Sequence, residues 1–167
     1  HQSAKAYLSF CIEELEQHRK RSAQIIKTLR QHLKTAELNE HIRLLRSVPG
    51  VGLISSLTIY TEVMNMDRFA TFDQLKSYFG LAPSVEGSGD NILVKGLSNR
   101  RNRYLRHLII EAAWVAIRKA PALLQAYNKL TGRMKAQEAI VRIAKKLLSR
   151  IRYVWKNQKE YIPAVIK

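Results

Sequence analysis

Residues 84 to 97 form the one long stretch of this chain without a helical period, and that gap constrains the fold more than any other feature. On both sides of it, apolar residues recur every three or four positions, the spacing of buried helix faces. Inside it, Val85, Ile92 and Val94 flank Gly87-Ser88-Gly89-Asp90-Asn91. Short β-branched runs around a glycine-rich centre read as a small β-hairpin or an ordered loop. The pattern therefore predicts a mostly α fold: a long N-terminal coiled-coil-like helix, then a compact helical domain carrying that hairpin or loop.

Upstream, residues 4 to 47 read as one long helix. Leu8, Ile12, Leu15, Ile26, Leu29, Leu33 and Ala36 follow alternating four- and three-residue steps, the seam of a coiled coil. Arg19 and Ser22 fall on the seam and weaken its middle. Residues 1–41 are expected to be an arm that dimerises or spaces domains, so that the protein is a homo-oligomer. An amphipathic helix folded onto its own domain is the alternative. Residues 42–167 make the second domain. Its Val48-Pro49-Gly50-Val51-Gly52 reads as the turn of a helix-hairpin-helix, whose following helix start can approach a backbone phosphate. A plain helix-helix corner would carry the same residues.

The helix that follows this turn is expected to continue over Thr58 to Met66 and run out into Asp67-Arg68-Phe69. Thr71 then caps a short helix whose Phe72, Leu75, Tyr78 and Phe79 face the core. Beyond the gap, Ser98 or Asn99 is expected to cap a helix from about Arg100 to Arg118, with Leu105, Leu108, Ile109, Ala112, Ala113, Val115 and Ala116 buried. Pro121 opens a further helix with Leu123, Leu124, Tyr127 and Leu130, ended by Gly132. The last, from about Lys135 to Lys156, is expected to bury Ile140, Ile143, Ala144, Leu147, Leu148, Ile151, Val154 and Trp155.

Charge decides the class of partner. Twenty-nine Lys and Arg against thirteen Asp and Glu leave a net charge of +16 over 167 residues. That excess points to nucleic acid, where neutralised phosphates release counterions. The 46% hydrophobic content excludes a disordered basic tail. No apolar run approaches the roughly 20 residues of a spanning helix, so no membrane partner is expected. The lone Cys11 excludes an internal disulfide and suits a reducing cytoplasm. The chain opens with His1-Gln2-Ser3 and reads as part of a longer protein.

The candidate chemistry sits around the gap. Ser84 and Ser88 lie among glycines, and Lys95, Arg100, Arg101, Arg103 and Arg106 follow. A possible hydroxyl nucleophile beside guanidinium forks is what phosphate chemistry calls for. No cysteine-histidine set has metal-ligand spacing, no phosphate-cradling glycine loop is present, and the acids are too sparse for a two-metal nuclease. A hydroxyl remains by elimination, and Ser88, between two glycines, is a better candidate than Ser84. In a non-catalytic helix-hairpin-helix module for nucleic acid, the same segment would be only a loop.

Taken in order, Val48-Pro49-Gly50-Val51-Gly52, Phe69, Tyr78-Phe79-Gly80-Leu81-Ala82-Pro83, Ser88-Gly89 and the run from Gly96 to Arg106 resemble the C-terminal transposase domain of the insertion sequence one-ten family. These enzymes are relatives of the Piv DNA invertases and are also called bridge-RNA-guided recombinases. The resemblance covers about residues 42 to 130. It implies a DNA transposase or site-specific recombinase in which a serine forms a covalent phosphoserine link to DNA. It also implies an N-terminal RuvC-like domain with an acidic tetrad, so that divalent metal (Mg) is expected there and no cofactor in this chain. A noncoding guide RNA and a composite site across subunits are further implications, as is a bacterial or archaeal cytoplasm with nucleoid association. Ser88 inherits the nucleophile role. Gly87 stands where the family usually has a first serine, which keeps Ser84 a rival. Asn99-Arg100-Arg101 stands where Lys-Arg-Gly is usual. DNA binding is expected through Lys95, Arg100, Arg101, Arg103, Arg106 and the Pro49, Gly50 and Gly52 turn. Without the acidic domain, the chain alone is expected to be inactive.

Overall fold

The computed structural model describes residues 2–32, 36–88, 91–97 and 102–163, and over Ser84–Leu97 the description is of backbone and register. The chain divides into two compact units, His1–Glu40 and His41–Lys167. The first holds α1 (Gln2–His32) and the opening of α2 (Ala36–Ser47). The expected single helix over residues 4 to 47 is thus described as two. Residues 33–35, including the seam position Leu33, lie outside the described residues. No side chain of α1 is buried. Leu8, Ile12 and Leu15 are 60%, 55% and 51% exposed, while Ile26 and Leu29 are half-buried. The upper part of the seam therefore presents apolar surface to solvent.

The second unit is mostly α, and its core begins at the end of α2, where Ile42, Leu44, Leu45 and Val48 are buried. Val48-Pro49-Gly50-Val51 makes a tight turn closed by the Val51 N–H donating to the Val48 carbonyl at 3.1 Å. Proline in the second place and a glycine at φ +87° in the third are the residues a type II turn needs. α3 (Leu53–Val63) follows with Gly52 as its N-cap. α3 ends before the expected Met66: Met64 takes φ +56° and its N–H donates to the Tyr60 carbonyl. The Asn65 side chain then accepts from the Asp67 N–H at 2.8 Å, which starts a 3-10 turn over Met66–Arg68. An asparagine bonding its own following backbone competes with helix continuation, and here it wins.

α4 (Phe72–Tyr78) starts as its sequence requires. Thr71 accepts from the Gln74 N–H and Gln74 reaches back to the Thr71 N–H, a reciprocal capping box. Leu75 and Phe79 are fully buried. Tyr78 is not free to stack on a base: its ring meets Phe69 and Phe79, Arg68 lies 5.2 Å from its centroid, and its hydroxyl donates to the Glu62 carbonyl. The chain then forms an antiparallel ribbon, β1 (Pro83–Ser88) and β2 (Asn91–Leu97).

α5 (Arg103–Lys119), α6 (Pro121–Thr131) and α7 (Ala136–Asn157) complete the unit. α7 is its central element and buries every apolar residue expected of it, with Ala139 added. Each large side chain so buried contributes about 1.5–3 kcal/mol relative to exposure. α5 buries Leu105, Ile109, Ala112, Ala113, Ala116 and Ile117, while Leu108 and Val115 are only half-buried. In α6 only Leu123 is fully buried, and Leu124 stays 43% exposed. His41, Tyr60 and Trp155 pack ring to ring and tie the end of α2 to α3 and α7. Among the described residues no helix is long and apolar enough to cross a membrane.

Candidate functional site

The ribbon's register is the first element of the site. Ser84 pairs with Lys95, Glu86 with Leu93 and Ser88 with Asn91, with a bulge between Pro83 and Ser84. Successive residues of a strand alternate between faces, and directly paired residues share one. Ser84, Glu86, Ser88, Asn91, Leu93 and Lys95 therefore lie on one face, and Val85, Gly87, Ile92 and Val94 on the other. Of the two expected forms, hairpin or ordered loop, the described residues show the paired strands, and both serines belong to β1 with Ser88 as its last residue. Gly89 and Asp90, which join the strands, lie outside the described residues.

Arg100 and Arg101, with the expected caps Ser98 and Asn99, also lie outside the described residues. α5 itself starts at Arg103, later than expected, and Asn102 is its N-cap. The Asn102 Oδ1 accepts from the Leu105 N–H at 3.0 Å, satisfying a helix-end donor. Its Nδ2 donates to the Glu62 Oε2 of α3 at 2.9 Å. No acid lies in the first turn of α5, where Arg103 is exposed and Arg106 half-buried. Cations there oppose the helix dipole, so the Glu62 carboxylate supplies from another helix the negative charge that α5 lacks. Glu62 and Asn102 were missed at the sequence level. Asn102, three residues ahead of the apolar Leu105, is a recognisable cap; Glu62, forty positions upstream, gives no local signal.

The Pro49-Gly52 corner packs on a different part of α5. A Cβ added to Gly50 would collide with the Ala112 carbonyl oxygen and lie 3.0 Å from the Ala116 Cβ. Gly50 thus serves both the positive φ and a close approach that only small α5 side chains allow. Gly52 is exposed, and nothing lies within 4 Å of its added Cβ. Nine residues of helix separate Ala112 from Arg103, about 14 Å at 1.5 Å per residue. The corner and the arginine turn are therefore separate places on one helix rather than a single cluster.

On α7, Arg152 donates to the Ala70 carbonyl at 3.2 Å, and Lys156 pairs with Asp67 at 3.1 Å. Burial, with Lys76 and Arg142 adding like charge, holds the Lys145 amine below the ordinary lysine range. Among the described residues no group of three or more His, Cys, Asp or Glu could hold a metal ion. Backbone register thus puts both serines and Lys95 on one face of the ribbon, and Arg103 stands exposed in the first turn of α5.

Residues 42–128 match the family model described as Transposase IS116/IS110/IS902 family. A transposase for insertion sequence element IS1111A from Coxiella burnetii is 35% identical over 83 residues, 50% of this chain and 23% of that protein. The insertion element IS110 uncharacterized 43.6 kDa protein from Streptomyces coelicolor is 30% identical over 135 residues, 80% of this chain and 32% of that protein. The chain thus spans between about a quarter and a third of the length of these curated relatives.

Proposed function

Because the chain belongs to the IS116/IS110/IS902 family of transposases, we propose that it is the part of a DNA transposase or site-specific recombinase that grips DNA and supplies the nucleophile, Ser88. What supports this is the register of the ribbon. Ser88 ends β1 on the face that also holds Ser84 and Lys95. From β2 the chain continues through Arg100 and Arg101 to the Arg103 turn of α5.

In the proposed reaction the Ser88 Oγ attacks the phosphorus of a DNA phosphodiester. Its proton goes to a base outside this chain, and the displaced strand leaves with the bridging oxygen, which takes a proton from an acid or water outside this chain to become a hydroxyl. The product is a phosphoserine ester. A second strand's hydroxyl then attacks the same phosphorus and returns the serine. Arg100, Arg101, Arg103, Arg106 and Lys95 would neutralise the charge that builds on the phosphoryl oxygens, the term that usually dominates such catalysis. The Pro49-Gly52 corner would hold the DNA backbone farther along α5 through the amides that open α3.

In this proposal Mg belongs to a RuvC-like acidic domain, and no step in this chain runs through it. The proposal also includes a bridge RNA that selects the DNA and pairing of two copies through the apolar stripe of α1. Ser88→Ala in the full-length transposase is expected to abolish strand transfer and leave DNA affinity within about twofold. Strand transfer by that variant would refute the assignment.

A further inference from the structure

We infer that the cleft between α6 and α7 is a second binding site for the DNA phosphate backbone, apart from the ribbon and the start of α5. This rests on the reading of the chain as a DNA-gripping piece of a transposase. The cleft has a volume of about 430 Å³. Ala122, Ala126 and Leu130 contribute apolar lining, and Gln125 adds an amide. Lys129 comes from the last turn of α6, Arg133 from the turn just after it and Lys146 from α7. Among the described residues no acidic side chain lines it.

All three cations are exposed, and among the described residues none makes an ion pair. This sets them apart from Arg152 and Lys156 of the same α7, which bind groups of the 3-10 turn and its approach to α4. The C-terminal dipole of α6 favours Lys129 and Arg133 where they stand. It gives no reason for Lys146, which α7 adds from its middle. Three like charges around one concavity repel each other unless an anion enters.

The anion that fits is repeated rather than single. Lys129 and Arg133 are four positions apart, and the Arg133 and Met134 N–H groups still bond the Leu130 carbonyl, so the helical course continues past Gly132. Four residues of helix rise about 6 Å, so the backbone positions that carry the two cations are offset by about that along the helix axis. That spacing matches neighbouring phosphates of one strand, while the apolar lining can take sugar carbons. A duplex held at the start of α5 and again here would be fixed in direction as well as position.

The test measures duplex DNA affinity of the 167-residue chain by fluorescence anisotropy across a salt series. The triple variant Lys129→Gln, Arg133→Gln, Lys146→Gln is expected to flatten the slope of log K against log salt by about 2–3, at 0.9 per phosphate contact. The charge-keeping triple Lys129→Arg, Arg133→Lys, Lys146→Arg should retain the parent slope. Should the neutral triple fail to fold by circular dichroism, Lys146→Gln alone is expected to flatten the slope by about 1. Arg103→Gln, at the other site, is the reference and should also flatten it by about 1. An unchanged slope in the cleft variants beside a flattened one in Arg103→Gln overturns the cleft alone. No change in any variant overturns the DNA reading itself. Weakened RNA binding with duplex DNA binding intact would also overturn the assignment.

Discussion

At the scale of single residues, the two glycines of the α2–α3 corner carry different roles although they are two positions apart. Gly50→Ala must adopt φ +87° and push against the Ala112 carbonyl and Ala116. Left-handed strain of about 1–2 kcal/mol and forced repacking of about 1–3 kcal/mol add to roughly 3 kcal/mol lost in urea unfolding. Gly52→Ala meets open space and ordinary φ, so its cost is only a weaker cap, under about 1 kcal/mol. Equal costs for the two would contradict this view of the corner. The Pro-Gly turn itself was legible because a proline followed by a glycine has few conformations open to it. That Gly50 lies against α5 was not legible, since the contact joins residues some sixty positions apart.

At the scale of elements, legibility followed the range of the interaction that ends each one. The α4 cap at Thr71 was readable because both partners of the capping box lie within four residues. The face of α7 was readable because its apolar period is unbroken over the whole helix. α5 was set too early: Ser98 and Asn99 looked like caps, and the choice of Asn102 is reinforced from α3 by Glu62. α3 was set too long because its hydropathy continues into Met64 and Met66, while the Asn65 side chain turns the backbone there. Asn102→Ala should cost about 1–2 kcal/mol, the worth of a cap plus one bond to a carboxylate. A double-mutant cycle with Glu62→Ala should return a coupling energy of about 1 kcal/mol, measured by urea unfolding. Strict additivity would mean that Glu62 does not hold the start of α5. The sequence left a hairpin and an ordered loop both open for the segment that carries the serines, because glycines lie among its β-branched residues. Pairing with Asn91 and Lys95 brought both into β1, and glycine on the opposite face does not prevent that.

At the scale of the whole molecule, the net charge of +16 and the ordered blocks between residues 42 and 130 carried the family assignment, and the match over residues 42–128 agrees with it. Subunit pairing is a separate matter and rests on α1. Leu8, Ile12 and Leu15 form an exposed row at seam spacing, which a second copy would cover. Sedimentation of the triple variant Leu8→Lys, Ile12→Lys, Leu15→Lys is therefore expected to show a monomer where the parent chain forms an oligomer. A monomeric parent, or an oligomer that survives the change, would remove α1 as the pairing element. The chemistry belongs to this scale too, because the proposed reaction joins Ser88 of this chain to acids held in another domain. The most direct test is to trap the full-length transposase on a DNA end and map the attached residue by mass spectrometry. The account predicts a phosphodiester-derived adduct on Ser88. An adduct on Ser84 or any other residue, or strand transfer proceeding with no covalent protein–DNA species, would contradict it.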